Sequence, residues 1–168
     1  MNTMNPAPIN ICRLIKEKLD ERERSVTWLA RKLECDRDNL HKTLKNKIDV
    51  HTDFLFRISV AMREDFFACY SEKIKEMLPV YYDKNWVVMN RSPINICRLI
   101  KEKLGEQERS VVWLARRMDC PYDNLRKTLK NNRDIHTDLL FNISVAMEED
   151  FFSCYSGKLK AIVPFYGY

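Results

Sequence analysis

Apolar residues recur along the first half of the chain at intervals of three and four, which places side chains on one face of an α-helix. Ile11, Leu14, Ile15 and Leu19 form the first such stripe. Four further segments repeat this spacing before Pro79. Apart from a short run at 86–89, no window shows the period-two alternation of a half-buried strand. The pattern therefore predicts five helices and an all-α fold.

Helix starts are predicted where a side chain can accept hydrogen bonds from the first-turn N–H groups. Ser25 is expected to cap the second helix, Asp36 the third and Thr52 the fourth, while Asp65 opens the fifth. Pro79 is expected to end the fifth helix. The inward positions of helices two to five are Val26, Leu29, Ala30, Leu33, Leu40, Leu44, Leu55, Ile58, Met62, Phe66, Phe67, Tyr70 and Ile74.

The second half of the chain repeats the first. The peptide PINICRLIKEKL at 8–19 recurs unchanged 85 residues later, and this offset then holds without a gap. Between 8–82 and 93–167, 52 of 75 positions are identical. We expect one domain at 8–82, a linker at 83–92 and a second domain at 93–168. Pro121 replaces the capping Asp36 in the second copy, and proline suits the start of a helix.

Positive charge is concentrated in two equivalent segments. The 168 residues carry a net charge of +5, of which residues 31–48 contribute +3 and residues 116–133 contribute +4. A clustered basic footprint suits a polyanionic partner. No run of about 18 apolar residues is present, so we expect no membrane span. The N-terminal residues lack the pattern of a secretion signal, so we expect a cytoplasmic protein.

Cysteine and glycine usage argues against several classes of site. The six cysteines lie more than three residues apart, and only three histidines accompany them, so the usual zinc-ligand spacing is missing. Reduced thiols are the expectation, with a regulatory redox role as the alternative. Three glycines cannot build a phosphate-binding loop. We expect no enzyme activity, catalytic residue, cofactor or metal, and no small-molecule ligand is evident.

One motif occurs in both copies, as LARKLECDRDNLHKTL at 29–44 and LARRMDCPYDNLRKTL at 114–129. A small residue midway in the first helix is followed by a turn, an apolar residue and an aliphatic anchor. These are Ala30, Glu34, Cys35 and Leu40, with their counterparts Ala115, Asp119, Cys120 and Leu125. The pattern resembles the helix-turn-helix of phage-repressor-type (lambda-repressor-like) DNA-binding domains, here in tandem, and covers about 11–65 of each copy. It departs from the family at the turn, where Glu34 and Asp119 replace the usual glycine. A left-handed backbone at a glutamate or aspartate costs roughly 1 kcal/mol or more.

The resemblance implies that the second helix of the motif enters the major groove of DNA. Its base-reading residues would be Arg37, Asp38, His41 and Lys42 in the first copy, and Tyr122, Asp123, Arg126 and Lys127 in the second. An arginine or lysine can donate to guanine, and an aspartate can accept from cytosine. The candidates for phosphate contact are Arg24, Ser25, Asn39, Lys45, Arg109, Ser110, Asn124 and Lys130.

Several of these positions have a structural alternative. Asp38 and Asp123 can simply complement the positive end of their own helix. Lys42 and Lys127 can be solvated charges, and Asn39 and Asn124 can reach a base, a phosphate or a local partner. His51 and His136 are interpreted as capping or packing residues rather than ligands.

Trp28 and Trp113 point almost opposite the apolar stripe of their helix, so we expect them to be exposed and to need a partner. The alternatives are the Phe-rich fifth helix or the linker folding back, an interface with the other copy or another chain, and the DNA backbone.

These observations favour a sequence-specific double-stranded DNA-binding protein that regulates transcription. The two copies would act as a covalent pseudo-dimer, and their differences at the reading positions predict two non-identical half-sites. The principal alternative is a protein-interaction module that uses the same scaffold and its Trp and Phe surfaces. Whether tandem chains form a further homodimer stays open.

Overall fold

The computed structural model describes residues 8–47, 49–78, 94–131 and 134–163. In these ranges the chain forms ten α-helices and no β-strand, which confirms the all-α prediction. The helices of the first copy are α1 Ile11–Glu21, α2 Val26–Leu33, α3 Arg37–Asn46, α4 Thr52–Met62 and α5 Ala68–Met77. Those of the second are α6 Ile96–Glu106, α7 Val111–Arg117, α8 Tyr122–Asn131, α9 Thr137–Met147 and α10 Ser153–Ile162. Pro79, the run at 86–89 and the linker at 83–92 lie outside the described residues.

Two of the predicted helix starts, at Ser25 and Asp36, are confirmed by hydrogen bonds to the first turn. The Ser25 hydroxyl accepts from the Trp28 amide at 3.1 Å, and the Asp36 carboxylate accepts from the Asn39 amide at 2.8 Å. The prediction that Asp65 opens the fifth helix is wrong: its carboxylate accepts from the Phe67 and Ala68 amides at 3.0 and 3.2 Å, but α5 begins only at Ala68, and Phe66 and Phe67 lie in the turn before it. These local contacts satisfy N–H groups that a helix leaves without an internal partner.

The prediction that Thr52 caps α4 is wrong. His51 occupies the N-cap position without a capping side-chain bond, and Thr52 is the first helical residue and fully buried. Its amide donates to the Ile135 carbonyl at 2.9 Å, and its hydroxyl accepts from the Ile135 amide at 3.4 Å. A tertiary contact therefore uses the groups that local reasoning assigned to the cap.

Residues 1–50 form the first compact unit, which contains α1, α2 and α3. Both α1 and α2 pack against α3. The core of this unit consists of the inward side chains Ile11, Ile15, Leu19, Leu29, Ala30, Leu33, Leu40 and Leu44. Their burial follows the predicted apolar stripes, except that Leu14 and Val26, which were also predicted to face inward, are only half-buried.

Residues 51–168 form the second compact unit, which contains α4 to α10. In it α8 packs against α6 and α7, α7 contacts α9, and α4 and α5 pack against α9 and α10. The unit boundary at residue 50 differs from the repeat boundary, because α4 and α5 belong to the first copy but pack with helices of the second. The predicted domain bounds of 8–82 and 93–168 stay a prediction.

Six aromatic residues join α4 and α5 to α9 and α10; we call them the aromatic cluster. They are Phe56, Phe67, Tyr70 and their counterparts Phe141, Phe152 and Tyr155. The ring of Phe67 stacks on Tyr155 with centroids 4.4 Å apart, and Tyr70 stacks on Phe152 at the same distance. Phe56 meets Tyr155 at 6.2 Å, and Phe141 meets Tyr70 at 6.2 Å. Each contact is thus made twice with the roles of the two copies exchanged.

This reciprocity is the rule of an isologous two-fold interface, in which residue i touches j and j touches i. Residues near such an axis touch their own counterparts. Phe67 lies 6.4 Å from Phe152, and the rings of His51 and His136 lie 3.9 Å apart within an isolated antiparallel bridge. The two histidines therefore pack against each other, as the packing interpretation required. Helices α4, α5, α9 and α10 are arranged like the interface of a homodimer, within one chain.

Candidate nucleic-acid interface

The turns before the two candidate reading helices adopt the left-handed backbone that the sequence motif predicts. Glu34 has a φ of 52° and Asp119 a φ of 51°. The Cys35 amide donates to the Ala30 carbonyl at 3.1 Å, and the Cys120 amide donates to Ala115 at 3.0 Å. These bonds close the C-terminal ends of α2 and α7, and α3 and α8 then begin after three and four residues. A non-glycine residue pays a steric penalty in this conformation.

The outward face of α3 carries the polar residues of the first motif. Leu40 and Leu44 are 2 % exposed and hold the helix against α1 and α2. Every predicted base-reading and phosphate residue on α3 is exposed: Arg37, Asp38, Asn39, His41, Lys42 and Lys45. This face carries three lysine or arginine charges and one carboxylate. It is therefore available to a polyanion in this unit.

Asp38 lies in the first turn of α3, where it complements the positive helix end. The Arg37 guanidinium approaches its carboxylate at 3.9 Å, with both side chains largely exposed. An exposed pair at this distance contributes little stability. Both groups therefore stay free to exchange this contact for a base edge, and the two interpretations of Asp38 are compatible.

The outward face of α8 has the same construction in the second unit. Leu125 and Leu129 are buried, and Tyr122, Asp123, Asn124, Arg126, Lys127 and Lys130 are exposed. Pro121 directly precedes the helix, where Asp36 caps the first copy. Tyr122 is 40 % exposed, a high value for a large aromatic residue without a covering partner.

A groove lies beside the start of α8, between α7 and the turn. Its volume is about 580 Å³, and its lining includes Val112, Arg116, Pro121 and Tyr122. The counterparts of Val112, Pro121 and Tyr122 in the first copy are Thr27, Asp36 and Arg37. All three replacements exchange a polar residue for an apolar or aromatic one. The second motif thus presents a more apolar surface than the first.

The candidate phosphate-binding serines both cap their own helices. Ser110 accepts from the Trp113 amide at 3.1 Å, as Ser25 does from Trp28. Each capped first turn follows an arginine, Arg24 or Arg109. Both serines are exposed, so neither is screened by its own compact unit.

The expectation that Trp28 and Trp113 are exposed needs correction, since both are half-buried. The guanidinium carbon of Arg24 lies 5.3 Å from the Trp28 ring centroid, and that of Arg109 lies 4.1 Å from Trp113. A cation over an indole face is a favourable contact. This contact was not among the predicted partners of the tryptophans, although an arginine precedes each tryptophan by four residues, the spacing of neighbours on one helix face.

The arginine of the second copy is fixed more firmly. Arg109 donates to the Gln107 side chain at 3.1 Å, and Gln107 donates to the Met147 carbonyl at 3.2 Å. Gln107 stands where the first copy has Arg22. Arg109 is consequently half-buried, while Arg24 is exposed, so Arg24 is the more accessible of the two phosphate candidates.

Other kinds of site find little support among the residues described. All six cysteines are free thiols, and Cys12, Cys97 and Cys154 are buried. No group of three or more His, Cys, Asp or Glu in the described ranges could hold a metal ion. Over the same ranges, no helix has the length and apolar character needed to cross a bilayer.

Comparison with family models, curated proteins and solved structures finds no match to this chain.

Proposed function

We propose that this chain is a cytoplasmic, sequence-specific double-stranded DNA-binding protein that regulates transcription. The observation that carries the proposal is the pair of exposed, basic faces on α3 and α8. Each follows a tight left-handed turn, and each sits on a buried leucine pair. A helix held in this way can enter the major groove with its polar face forward.

The reciprocal contacts of the aromatic cluster support a paired mode of action. Regulators with this motif commonly bind as two-fold dimers to two half-sites. Here an isologous arrangement is built into one polypeptide. Because the faces differ at Arg37 and Tyr122, and at His41 and Arg126, the two half-sites are proposed to differ as well.

The test is selection of binding sites from random duplex DNA, followed by gel shifts at increasing salt. We expect a non-palindromic consensus and an affinity that falls steeply with salt, with a log–log slope of about −0.9 for each phosphate neutralised. Absence of any shift at low salt would overturn the DNA-binding proposal. A perfectly palindromic consensus would overturn only the non-identical half-sites.

A matched pair of double variants separates the reading helices from general charge. Lys42→Ala with Lys127→Ala removes one lysine from each outward face. Lys75→Ala with Lys160→Ala removes exposed lysines at equivalent positions of α5 and α10. The first should weaken binding about tenfold or more and reduce the salt slope by about 2, since each phosphate contact contributes about 1. Equal losses in the two variants would contradict the assignment.

The groove beside α8 favours a second candidate, in which this scaffold binds a protein. Val112 is 39 % exposed and Tyr122 is 40 % exposed, and together they flank an apolar surface. Under this candidate, Val112→Thr with Tyr122→Arg, which restores the residues of the first copy, would abolish partner capture. Under the DNA proposal the same variant would change base preference while duplex binding persists.

A further inference from the structure

The start of α8 and the groove beside it carry an exposed apolar patch, which consists of Val112, Pro121 and Tyr122. Val112 is 39 % exposed and Tyr122 is 40 % exposed, and the exposed Pro121 directly precedes Tyr122 in the chain. All three residues line the groove, whose volume is about 580 Å³. Because apolar surface in water is unfavourable, the apolar patch favours a ligand that offers apolar groups of its own.

Charged side chains surround the apolar patch. They lie on the edge of the groove and along the outward face of α8, and all are exposed: Arg116, Asp119, Asp123, Arg126, Lys127 and Lys130. Four of them are basic and two are acidic, so their net charge is +2. These surroundings favour a polyanion. The ligand that suits the whole surface is therefore one that carries apolar groups on a negatively charged frame.

Duplex DNA that contains thymine meets both requirements. In the major groove each base pair presents its own set of hydrogen-bond donors and acceptors, and thymine adds an apolar C5-methyl group. Apolar side chains contact this methyl group when they read the base directly. The neighbouring phosphates supply negative charge for lysine and arginine. Thymine in the major groove thus complements the apolar patch and its basic surroundings together.

The first copy offers different chemistry at the equivalent positions, which are Thr27, Asp36 and Arg37. The Asp36 carboxylate caps α3 by accepting from the Asn39 amide at 2.8 Å. Arg37 is exposed in the first turn of α3, and an arginine there can donate two hydrogen bonds to the O6 and N7 atoms of guanine. Guanine carries no methyl group. The two copies therefore favour different bases at equivalent places.

We propose that the apolar patch of the second copy reads the 5-methyl groups of thymine. Pro121 and Tyr122 contact a methyl group at the start of α8, and Val112 extends this contact from α7. The half-site bound by the second copy then carries thymine where that of the first copy carries guanine. The inference rests on the proposed DNA binding and assigns the base that distinguishes the two half-sites.

Replacement of thymine by uracil tests the proposal, because it removes the methyl group and leaves base pairing unchanged. The full chain first selects its sites from random duplexes that contain thymine. The selected duplex is then prepared with uracil in one half-site, in the other or in both. Gel shifts should show binding that is about fourfold weaker for each contacted methyl group, the effect of exposing one group of this size to water. This loss should come from one half-site only.

Exchange of the patch residues between the copies assigns the loss to the second copy. One triple variant gives the second copy the residues of the first: Val112→Thr, Pro121→Asp and Tyr122→Arg. It should bind the thymine and uracil forms equally and should select guanine in both half-sites.

The reverse triple variant gives the first copy the apolar patch: Thr27→Val, Asp36→Pro and Arg37→Tyr. Its half-site should then become sensitive to uracil. Each exchange introduces residues that the other copy already carries at the same place, so both folds should persist, and circular dichroism checks this.

Lys130→Ala is the matched control, since this exposed lysine lies at the far end of α8 and a phosphate contact does not depend on the methyl group. It should weaken binding of the thymine and uracil forms by the same factor. Equal binding of both forms by the unaltered chain would overturn the thymine assignment alone and would favour the protein-binding candidate for the groove. A thymine preference that survives in the first triple variant would also overturn it. Absence of a shift on every duplex would overturn the proposed function itself.

Discussion

The aromatic cluster and the outward faces of α3 and α8 differ in how closely the two copies of the sequence agree. All six residues of the cluster have the same identity in the two copies, whereas the faces differ at Arg37 and Tyr122, and at His41 and Arg126. In the cluster, each residue type must fit the same contact twice, because the phenylalanine–tyrosine pairs that join the two copies occur with the copies exchanged. An exposed residue faces only solvent or a ligand. Reciprocal packing therefore keeps the copies alike, and exposure lets them differ.

The largest effect is expected from breaking the cluster. Phe67→Ala removes a fully buried ring that stacks on Tyr155 and also contacts Phe152. The free energy of unfolding should fall by about 3–5 kcal/mol, because a buried cavity replaces a ring. Urea denaturation followed by circular dichroism measures this loss.

Phe152→Ala should produce a loss close to that of Phe67→Ala, since both rings are fully buried and each stacks on a tyrosine of the other copy at 4.4 Å. Tyr122→Ala removes an aromatic residue of the outward face and should change the unfolding free energy by no more than about 0.5 kcal/mol. A similar loss at Tyr122 would show that the distinction between cluster and face is incorrect.

A smaller effect of opposite sign is expected at the turns before α3 and α8. Glu34→Gly and Asp119→Gly relieve the steric cost of a left-handed backbone, and the greater freedom of glycine in the unfolded chain offsets part of this gain. Each substitution should stabilise the protein by about 0.5–1 kcal/mol. Thermal unfolding measures the change.

Glu34→Ala is the control for this prediction, because alanine removes the charge but keeps the Cβ atom responsible for the strain. It should give no comparable gain. If the alanine and glycine variants were equally stable, backbone strain would not explain the result.

The smallest effect is expected in the reaction rates of cysteine thiols, compared between the helices of the aromatic cluster and the turns before α3 and α8. Burial raises the pKa of Cys69 to about 12 and raises that of Cys154 as well. Because the thiolate is the reactive form, both should react slowly with N-ethylmaleimide at pH 8. Cys35 and Cys120 end the turns before the reading helices and are partly exposed. They should react faster, which mass spectrometry of digested, timed samples would reveal.

The same pKa shifts give a direction for stability. The folded state favours the neutral thiol, so this stabilisation is present below the ordinary thiol pKa of 9.0 and is lost as pH rises towards the folded values. The unfolding free energy should therefore decline above about pH 9. Cys154→Ala should show a shallower decline than Cys35→Ala; the reverse order would contradict the burial argument.

Local features of the fold could be predicted from the sequence. The apolar spacing located all five helices of each copy, and Ser25 and Asp36 cap their helices as expected. These features depend on residues within one helical turn. The left-handed conformation at Glu34 and Asp119 was likewise accessible, since it depends on the local motif.

Features that join distant parts of the chain could not be predicted in this way. Threonine is a common N-cap residue, but Thr52 bonds to Ile135, which lies 83 residues away. The stacking of Phe67 on Tyr155 requires knowledge of which helices meet. The candidate reading residues, by contrast, lie on single helices, and their exposure follows from the helical period.

The joining of both halves of an isologous interface in one polypeptide changes how assembly responds to dilution. A homodimer obeys mass action, so it dissociates as its concentration falls and loses stability with it. In this chain the partners of Phe67 and Tyr70 are always present at the effective concentration set by the connecting segment, typically millimolar. The transition temperature should then be independent of protein concentration, and a cell with few copies would retain the complete paired form.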